Sequence, residues 1–152
     1  MKFVVRKANL NDATNVAILF NLYRVFYQQN SDEIGALKFI LERLQKADSE
    51  IFIACDDANK ILGFTQLYPT FSSQSMQRMW ILNDVYVDQN CRKCGVASAL
   101  IAAANAHAIA TASKGLLLCT QNSNLSAQAL YKKLGFEPLN DFQWHFLKTK
   151  SI

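Results

Sequence analysis

Proline occurs twice and glycine five times in 152 residues. That is too little for a flexible linker and far from any proline-rich or collagen-like segment. Charged side chains make up 18% of the chain and hydrophobic ones 51%, the reverse of what disorder requires. No basic run exceeds two residues (Arg6-Lys7, Arg92-Lys93, Lys132-Lys133), and none forms a stripe at helical spacing, so no nucleic-acid partner is expected. A P-loop Gly-Lys-Ser/Thr and a GxGxxG are both missing, as are internal repeats and low-complexity segments. The start, Met1-Lys2-Phe3-Val4-Val5-Arg6, has too short an apolar stretch for a secretory signal.

The cysteines, Cys55, Cys91, Cys94 and Cys119, are few. Cys91-Arg92-Lys93-Cys94 is formally a CxxC, but it lacks the second pair of a zinc site, and His107 and His145 sit at no ligand spacing. Nor does the surrounding sequence read as a thioredoxin-like redox setting. No metal is expected, and reduced thiols in a cytoplasmic protein are the natural reading. Cys94 to Ser113 is a 20-residue stretch without a charge, close to the length of a membrane span. It is dominated by Ala and broken by Asn105, His107 and hydroxyls, so it reads as a helix packed against a sheet, with no membrane partner.

What is present suits one domain over residues 1–152 with a real core. Charge is unevenly spread: residues 1–57 hold seven basic and eight acidic side chains, net −1, and residues 58–152 hold nine and four, net +5. Two readings are open, a solvated basic face or a small polyanionic ligand held at one place.

Hydrophobic periodicity predicts a strand over 3–8 and a helix from about Asp12 to Gln29 with Val16, Phe20, Tyr23 and Tyr27 on one face. Asn30 with Glu33 reads as a capping box opening a second helix, whose stripe is Ile34, Leu37, Leu41 and Leu44. Ile51–Cys55 and Ile61–Tyr68 flank a turn at Asp56-Asp57-Ala58-Asn59-Lys60, and Met79–Val87 completes a meander after Pro69 and a Ser-rich loop. A helix over Gly95–Ser113, an apolar strand Leu116–Thr120, a helix Leu125–Leu134 and a last strand Phe142–Lys148 follow. The order β-α-α-β-β-β-α-β-α-β predicts an α/β (α+β) fold, a mixed and mostly antiparallel sheet with helices on both faces. The last strand offers an edge for a homodimer.

The informative stretch is Asp84-Val85-Tyr86-Val87-Asp88-Gln89-Asn90-Cys91-Arg92-Lys93-Cys94-Gly95-Val96-Ala97-Ser98. A strand ends, a short loop carries Arg92 and Lys93, and a helix begins at Gly95. The free N–H groups and positive dipole end of that helix make an anion cradle, with a plain Gly-started helix as the bland alternative. Strand alternation puts Asp84 and Tyr86 on the face opposite Val85 and Val87.

Arg-x-x-Gly-x-Ala after a strand, in this order of elements, resembles the pyrophosphate loop of the GNAT superfamily of N-acetyltransferases. Asn124, Ala127, Tyr131 and Leu134-Gly135-Phe136 resemble the family's later Asn…Ala…Tyr…Gly-Phe segment. Asn83-Asp84-Val85-Tyr86-Val87 is similar to the strand that carries an acidic pair in diamine acetyltransferases, except that Asn83 cannot take a proton. The nearest branch is the one holding diamine, histone and amino-acid acetyltransferases.

This resemblance implies acetyl-CoA as cosubstrate, lying where the Met79–Val87 and Leu116–Thr120 strands splay. Backbone groups from Val85 through Tyr86 to Val87 would meet the pantetheine arm, with an N–H near Val85 holding the thioester oxygen. N–H groups of Arg92, Lys93, Cys94, Gly95, Val96, Ala97 and Ser98 would hold the pyrophosphate, and Asn124, Ala127 and Tyr131 would form the other wall. Tyr131 would protonate the leaving thiolate. Asp84 would bind the acceptor's ammonium, act as base through water, or merely pair with a nearby base. An alkylamine titrates near 10, so its proton must be accepted somewhere. The acceptor, a small-molecule amine or peptide, is expected against Tyr27, Asp32, Glu33, Tyr68, Trp80 and Asp84. Catalysis by direct transfer competes with a non-catalytic acyl-CoA-binding sensor or regulatory module.

Overall fold

The computed structural model describes residues 2–149. Contacts divide the chain into two units, residues 1–119 and residues 120–152.

In the first unit, β1 (Phe3–Lys7), β2 (Glu50–Asp56), β3 (Ile61–Ser72), β4 (Gln77–Val87) and β5 (Leu116–Leu117) form one five-stranded sheet in that order. The first three pairings are antiparallel and the fourth is parallel, as a strand-helix-strand crossover demands. The helices α1 (Ala13–Phe26) and α2 (Glu33–Lys46) cover one face, and α3 (Val96–Ala110) covers the other. Val16, Phe20, Ala36 and Ile40 meet Ile51, Ile53 and Phe64 on the first face. Val96 and Leu100 meet Ala54 and Leu62 on the second. No helix among the described residues is long and apolar enough to cross a membrane.

Local chemistry explains the helix ends. Asp12 takes a bidentate pair of hydrogen bonds from Arg6, both at 2.8 Å, and one from the Asn9 N–H. A strand is thereby tied to the turn before α1. The Arg6 guanidinium holds the Asp12 carboxyl below its ordinary range.

The second helix departs from expectation. Its N-cap is Asp32, whose side chain accepts from the Gly35 N–H at 2.8 Å, in place of Asn30. The sheet-facing line is accordingly Ala36–Ile40, with Leu37, Leu41 and Leu44 packed beside it. Ile34 lies well off that line and is 85% exposed.

The expected loop after Tyr68 is also strand. Thr70, Phe71 and Ser72 pair with Met79, Arg78 and Gln77. Pro69 is tolerated because its partner Trp80 sends its own N–H away from β3, to the Gly115 carbonyl at 3.1 Å. The Pro69 nitrogen therefore faces the side where β2, paired only as far as Leu67, has ended, and no ladder bond is lost.

The second unit holds α4 (Leu125–Lys133). Asn124 caps its start, accepting from the Ala127 N–H at 3.2 Å. Gly135, at φ +88°, closes its end: the Phe136 N–H reaches the Tyr131 carbonyl and the Gly135 N–H reaches that of Lys132. This is a Schellman stop, and the Tyr131–Phe136 ring contact at 5.7 Å is its usual hydrophobic clasp. Residues 142–148 form no strand. Their alternation is strand-like, but no other strand in residues 120–149 offers them a ladder, and Phe146 and Leu147 stand exposed.

Candidate functional site

The strand β4 is the pivot. It pairs with β3 along its whole length, but with β5 only at Trp80 and Ile81. From Leu82 onward its other edge has no strand partner among the described residues, and β5 ends at Leu117, short of the expected Thr120.

The register explains what that edge presents. Gln66 faces Asp84 and Leu67 faces Leu82, so Asn83 is an extra residue, a bulge. Before the bulge, Trp80 sends its N–H toward the β5 side. After it, the Asp88 N–H donates to the Leu62 carbonyl of β3 at 2.9 Å, and the Asp84 carbonyl accepts from the Thr65 hydroxyl at 2.8 Å. Alternation from Asp84 and Asp88 turns the main-chain groups of Val85 and Val87 to the open edge. The Val87 carbonyl there accepts from Arg92 Nε at 3.2 Å, and the Arg92 guanidinium also lies 5.7 Å from the Tyr86 ring centroid.

The same extra residue switches side-chain faces. Counting by twos from Trp80 would put Trp80 and Asp84 together. Instead Trp80 lies on the α3 face, its indole N–H bonded to the Thr111 hydroxyl at 2.9 Å and its ring 4.8 Å from His107. Asp84 points to the α1 face, as does Tyr86, whose ring meets Tyr23. Trp80 and Asp84, both expected to line the acceptor pocket, thus lie on opposite faces of the sheet.

Asp84 is 3% exposed. Gln66 Nε2 donates to its Oδ2 at 2.9 Å and Asn83 Nδ2 to its Oδ1 at 3.1 Å. The Tyr23 hydroxyl donates to the Asn83 carbonyl oxygen at 3.5 Å and lies close enough to favour the ionised carboxylate. Burial pushes the Asp84 carboxyl above its ordinary range, and these donors from Gln66, Tyr23 and Asn83 pull back only part of the way. Tyr68 is half-buried on the same side; burial first and the Asp84 charge second push its phenol up to about 12.

Beside this cluster runs an aromatic wall. Tyr23 meets Tyr27 with ring centroids 5.0 Å apart, and Phe20 stacks on Phe39 at 5.3 Å. Between α1 and α2 the wall opens into a recess of about 290 Å³ lined by Phe20, Arg24, Asp32, Gly35, Ala36 and Phe39. Asp32 is thus at a cavity, Tyr27 is at the wall, and Glu33 is on the exposed first turn of α2.

The loop after β4 leads to α3. Gly95 is its N-cap at φ +82° and offers no side-chain cap. A Cβ built at Gly95 would meet nothing within 4 Å, so this glycine answers a backbone conformation and not crowding. The first N–H groups of α3, at Val96, Ala97 and Ser98, have no side-chain cap. Arg92, Lys93 and Cys94 are exposed, while Cys91 is buried against Val96 and Leu100. All four cysteines are free, and no metal-holding group occurs among the described residues. In the second unit, Tyr131 is half-buried on α4 and Ala127 sits at the capped start.

Sequence reasoning passed over Gln66 and Ser49. The available signal was the polar pair Thr65-Gln66 inside the otherwise apolar run from Ile61 to Leu67.

Residues 16–136 match the model of the acetyltransferase (GNAT) family. Over 145 residues, 95% of this chain and 97% of the relative, the sequence is 44% identical to an uncharacterized N-acetyltransferase, YhfO, of Bacillus subtilis. It is 36% identical to a probable acetyltransferase of Haemophilus influenzae over 86 residues, 57% of this chain and 59% of that one. The crystal structure of a probable acetyltransferase, 36% identical, matches over 100% of both chains with a TM-score of 0.90.

Proposed function

This chain belongs to the acetyltransferase (GNAT) family, and we propose that it transfers an acetyl group from acetyl-CoA directly to a primary amine of a small molecule, such as an amino acid or polyamine, or of a peptide. The family match runs across residues 16–136, which supports treating the two units as parts of one acetyltransferase domain.

The observation that carries this reading is the bulge at Asn83. It gives one strand an open main-chain edge at Val85 and Val87 and, on the adjoining face, a buried carboxylate. These residues fit acetyl-CoA. The open edge matches an amide-bearing pantetheine arm as an added strand would, and the uncapped start of α3 with Lys93 beside it suits a pyrophosphate. When bound, acetyl-CoA supplies the activated acyl carbon. The N–H at Val85 stabilises charge gathering on the carbonyl oxygen under attack. Asp84 takes the proton of the amine through water or the Tyr23 hydroxyl, since its 3% exposure leaves little room for direct contact. Its raised proton affinity brings it nearer the pH at which a base works best. Tyr131 returns a proton to the departing thiolate. The α1–α2 recess, apolar with Arg24 and Asp32 at its lining, receives the acceptor's tail.

The test is free-thiol release from acetyl-CoA across a panel of amines, with wild type, Asp84→Asn and Tyr131→Phe. Amine-stimulated release that falls at least about tenfold in Asp84→Asn is expected, in the range of a lost general base. Tight CoA binding with no amine-stimulated release would establish the non-catalytic module in its place.

A further inference from the structure

The sheet interior around Asp84 carries a chain of buried polar side chains that packing does not require. Gln66 is fully buried on β3, directly across the ladder from Asp84, on the same face as Phe64. An apolar side chain would fill that place at no polar cost. Gln66 instead spends both ends of its amide: Nε2 donates to Asp84 Oδ2 at 2.9 Å, and Oε1 accepts from the Ser49 hydroxyl at 2.9 Å. Ser49 is itself buried, where the chain enters β2.

An amide is ambivalent, because turning it over would aim its oxygen at the carboxylate. The ionised carboxylate, which only accepts, selects the orientation that offers N–H to it, and the Ser49 hydroxyl, donating into Oε1, holds the amide from its other end. The other groups facing Asp84 are the Tyr23 hydroxyl from α1, Asn83 and Tyr86 on its own strand, and Tyr68 from β3. Arg43 and Asp48 enter only through Tyr68, and they pair with each other at 3.0 Å. No cation is bonded to the carboxylate among the described residues, so neutral donors govern it.

We propose that Gln66, itself held by Ser49, is a positioning residue that fixes the Asp84 carboxylate and sets the pH range in which it accepts the proton of the acceptor amine. This rests on Asp84 being the base, as read above. Gln66 touches neither substrate and acts through Asp84 alone. Loss of its N–H removes a donor that favours the ionised carboxylate, so Asp84 should take its proton at higher pH. Gln66→Met and Gln66→Leu, of similar volume, delete that N–H without adding a charge.

The direct experiment follows the side-chain carbon of Asp84 by 13C NMR titration of aspartate-labelled protein, the signal being identified by its loss in Asp84→Asn. Gln66→Leu and Gln66→Met are expected to raise its midpoint by roughly one pH unit, the scale of one hydrogen bond to a charged group. Ser49→Ala should shift it in the same direction by less. Thr65→Val serves as the control, because Thr65 bonds only the Asp84 main-chain carbonyl, and it should leave the midpoint in place. The acidic limb of kcat/KM for the amine should move in the same order, with KM for acetyl-CoA unchanged. Ser49→Ala is small enough to carry the test if the Gln66 variants fold poorly. An Asp84 midpoint that stays fixed in the Gln66 variants and in Ser49→Ala would overturn the proposal. Full turnover in Asp84→Asn would instead refute the base reading, while the carbon titration would still decide whether Gln66 governs the carboxylate.

Discussion

Replacing Asp84 by Asn should make the protein more stable at neutral and alkaline pH. The carboxylate is 3% exposed and holds its proton more tightly than an exposed aspartate because of that burial. A group raised in the folded state adds stability that is fully present below its unfolded value, about 3.9, and is lost as pH rises through the folded value. Each unit of separation is worth about 1.4 kcal/mol. The donors Gln66, Tyr23 and Asn83 offset part of the cost of burying the charge, so the penalty left to relieve is on the order of 1–3 kcal/mol. The asparagine keeps an acceptor oxygen for Gln66 Nε2, and the exposed Asn83 side chain is free to turn to water. Urea unfolding across pH 4–9 measures the effect. With a slope of about 2 kcal/mol per molar, a gain of ~2 kcal/mol moves the midpoint up by about 1 M. The gap between variant and wild type should be small near pH 4, grow as pH rises, and level off once Asp84 is ionised in the folded protein. A gap that stays constant over this range, or a variant less stable at pH 8, would refute the burial argument.

Three further outcomes follow from the same geometry. Ile40→Ala should cost about 2–5 kcal/mol, since the side chain is fully buried, whereas Ile34→Ala should stay within about 0.5 kcal/mol; thermal or urea unfolding of the pair tests the phase of α2. Asp12→Asn should lower stability at pH 7, and because Arg6 depresses the Asp12 carboxyl, the wild-type advantage should fade as pH falls below about 4. Gly95→Ala should cost about 1 kcal/mol for forcing a side chain into φ +82° and weaken CoA binding, while Lys93→Ala should flatten the salt dependence of that binding, both read by calorimetry at two ionic strengths.

Much of this molecule is readable from spacing. The meander, the parallel crossover and the glycine-started helix announce themselves through period, turn residues and an uncharged run. Helix phase is harder: Asn30 and Asp32 are equally good caps on paper, and only the choice of Asp32 decides that Ala36 and Ile40 face the sheet. Pro69 reads as a strand breaker until its neighbour's hydrogen bond is known to run the other way. The bulge is invisible to alternation, so the face of Asp84 was legible from Val85 to Val87 and illegible from Trp80. Ser49 and Gln66, 17 residues apart, come together only when β2 and β3 pair. In the second unit, Asn124 and Gly135 have readings as helix punctuation alongside any role toward a ligand.

A sheet tends to zip. Once Trp80 and Ile81 have met Leu116 and Leu117, each further pair would add main-chain bonds, and the gap would close residue by residue. Pairing stops at Ile81, and the supernumerary Asn83 follows two positions later, where a bulge adds local twist to a strand. Removing it would heal the ladder without changing which way Asp84 or Val85 points, because Gln66 and Leu67 already face their partners in step. On this view the sheet is left unfinished along β4, and Asn83 matters for its place in the count more than for its side chain.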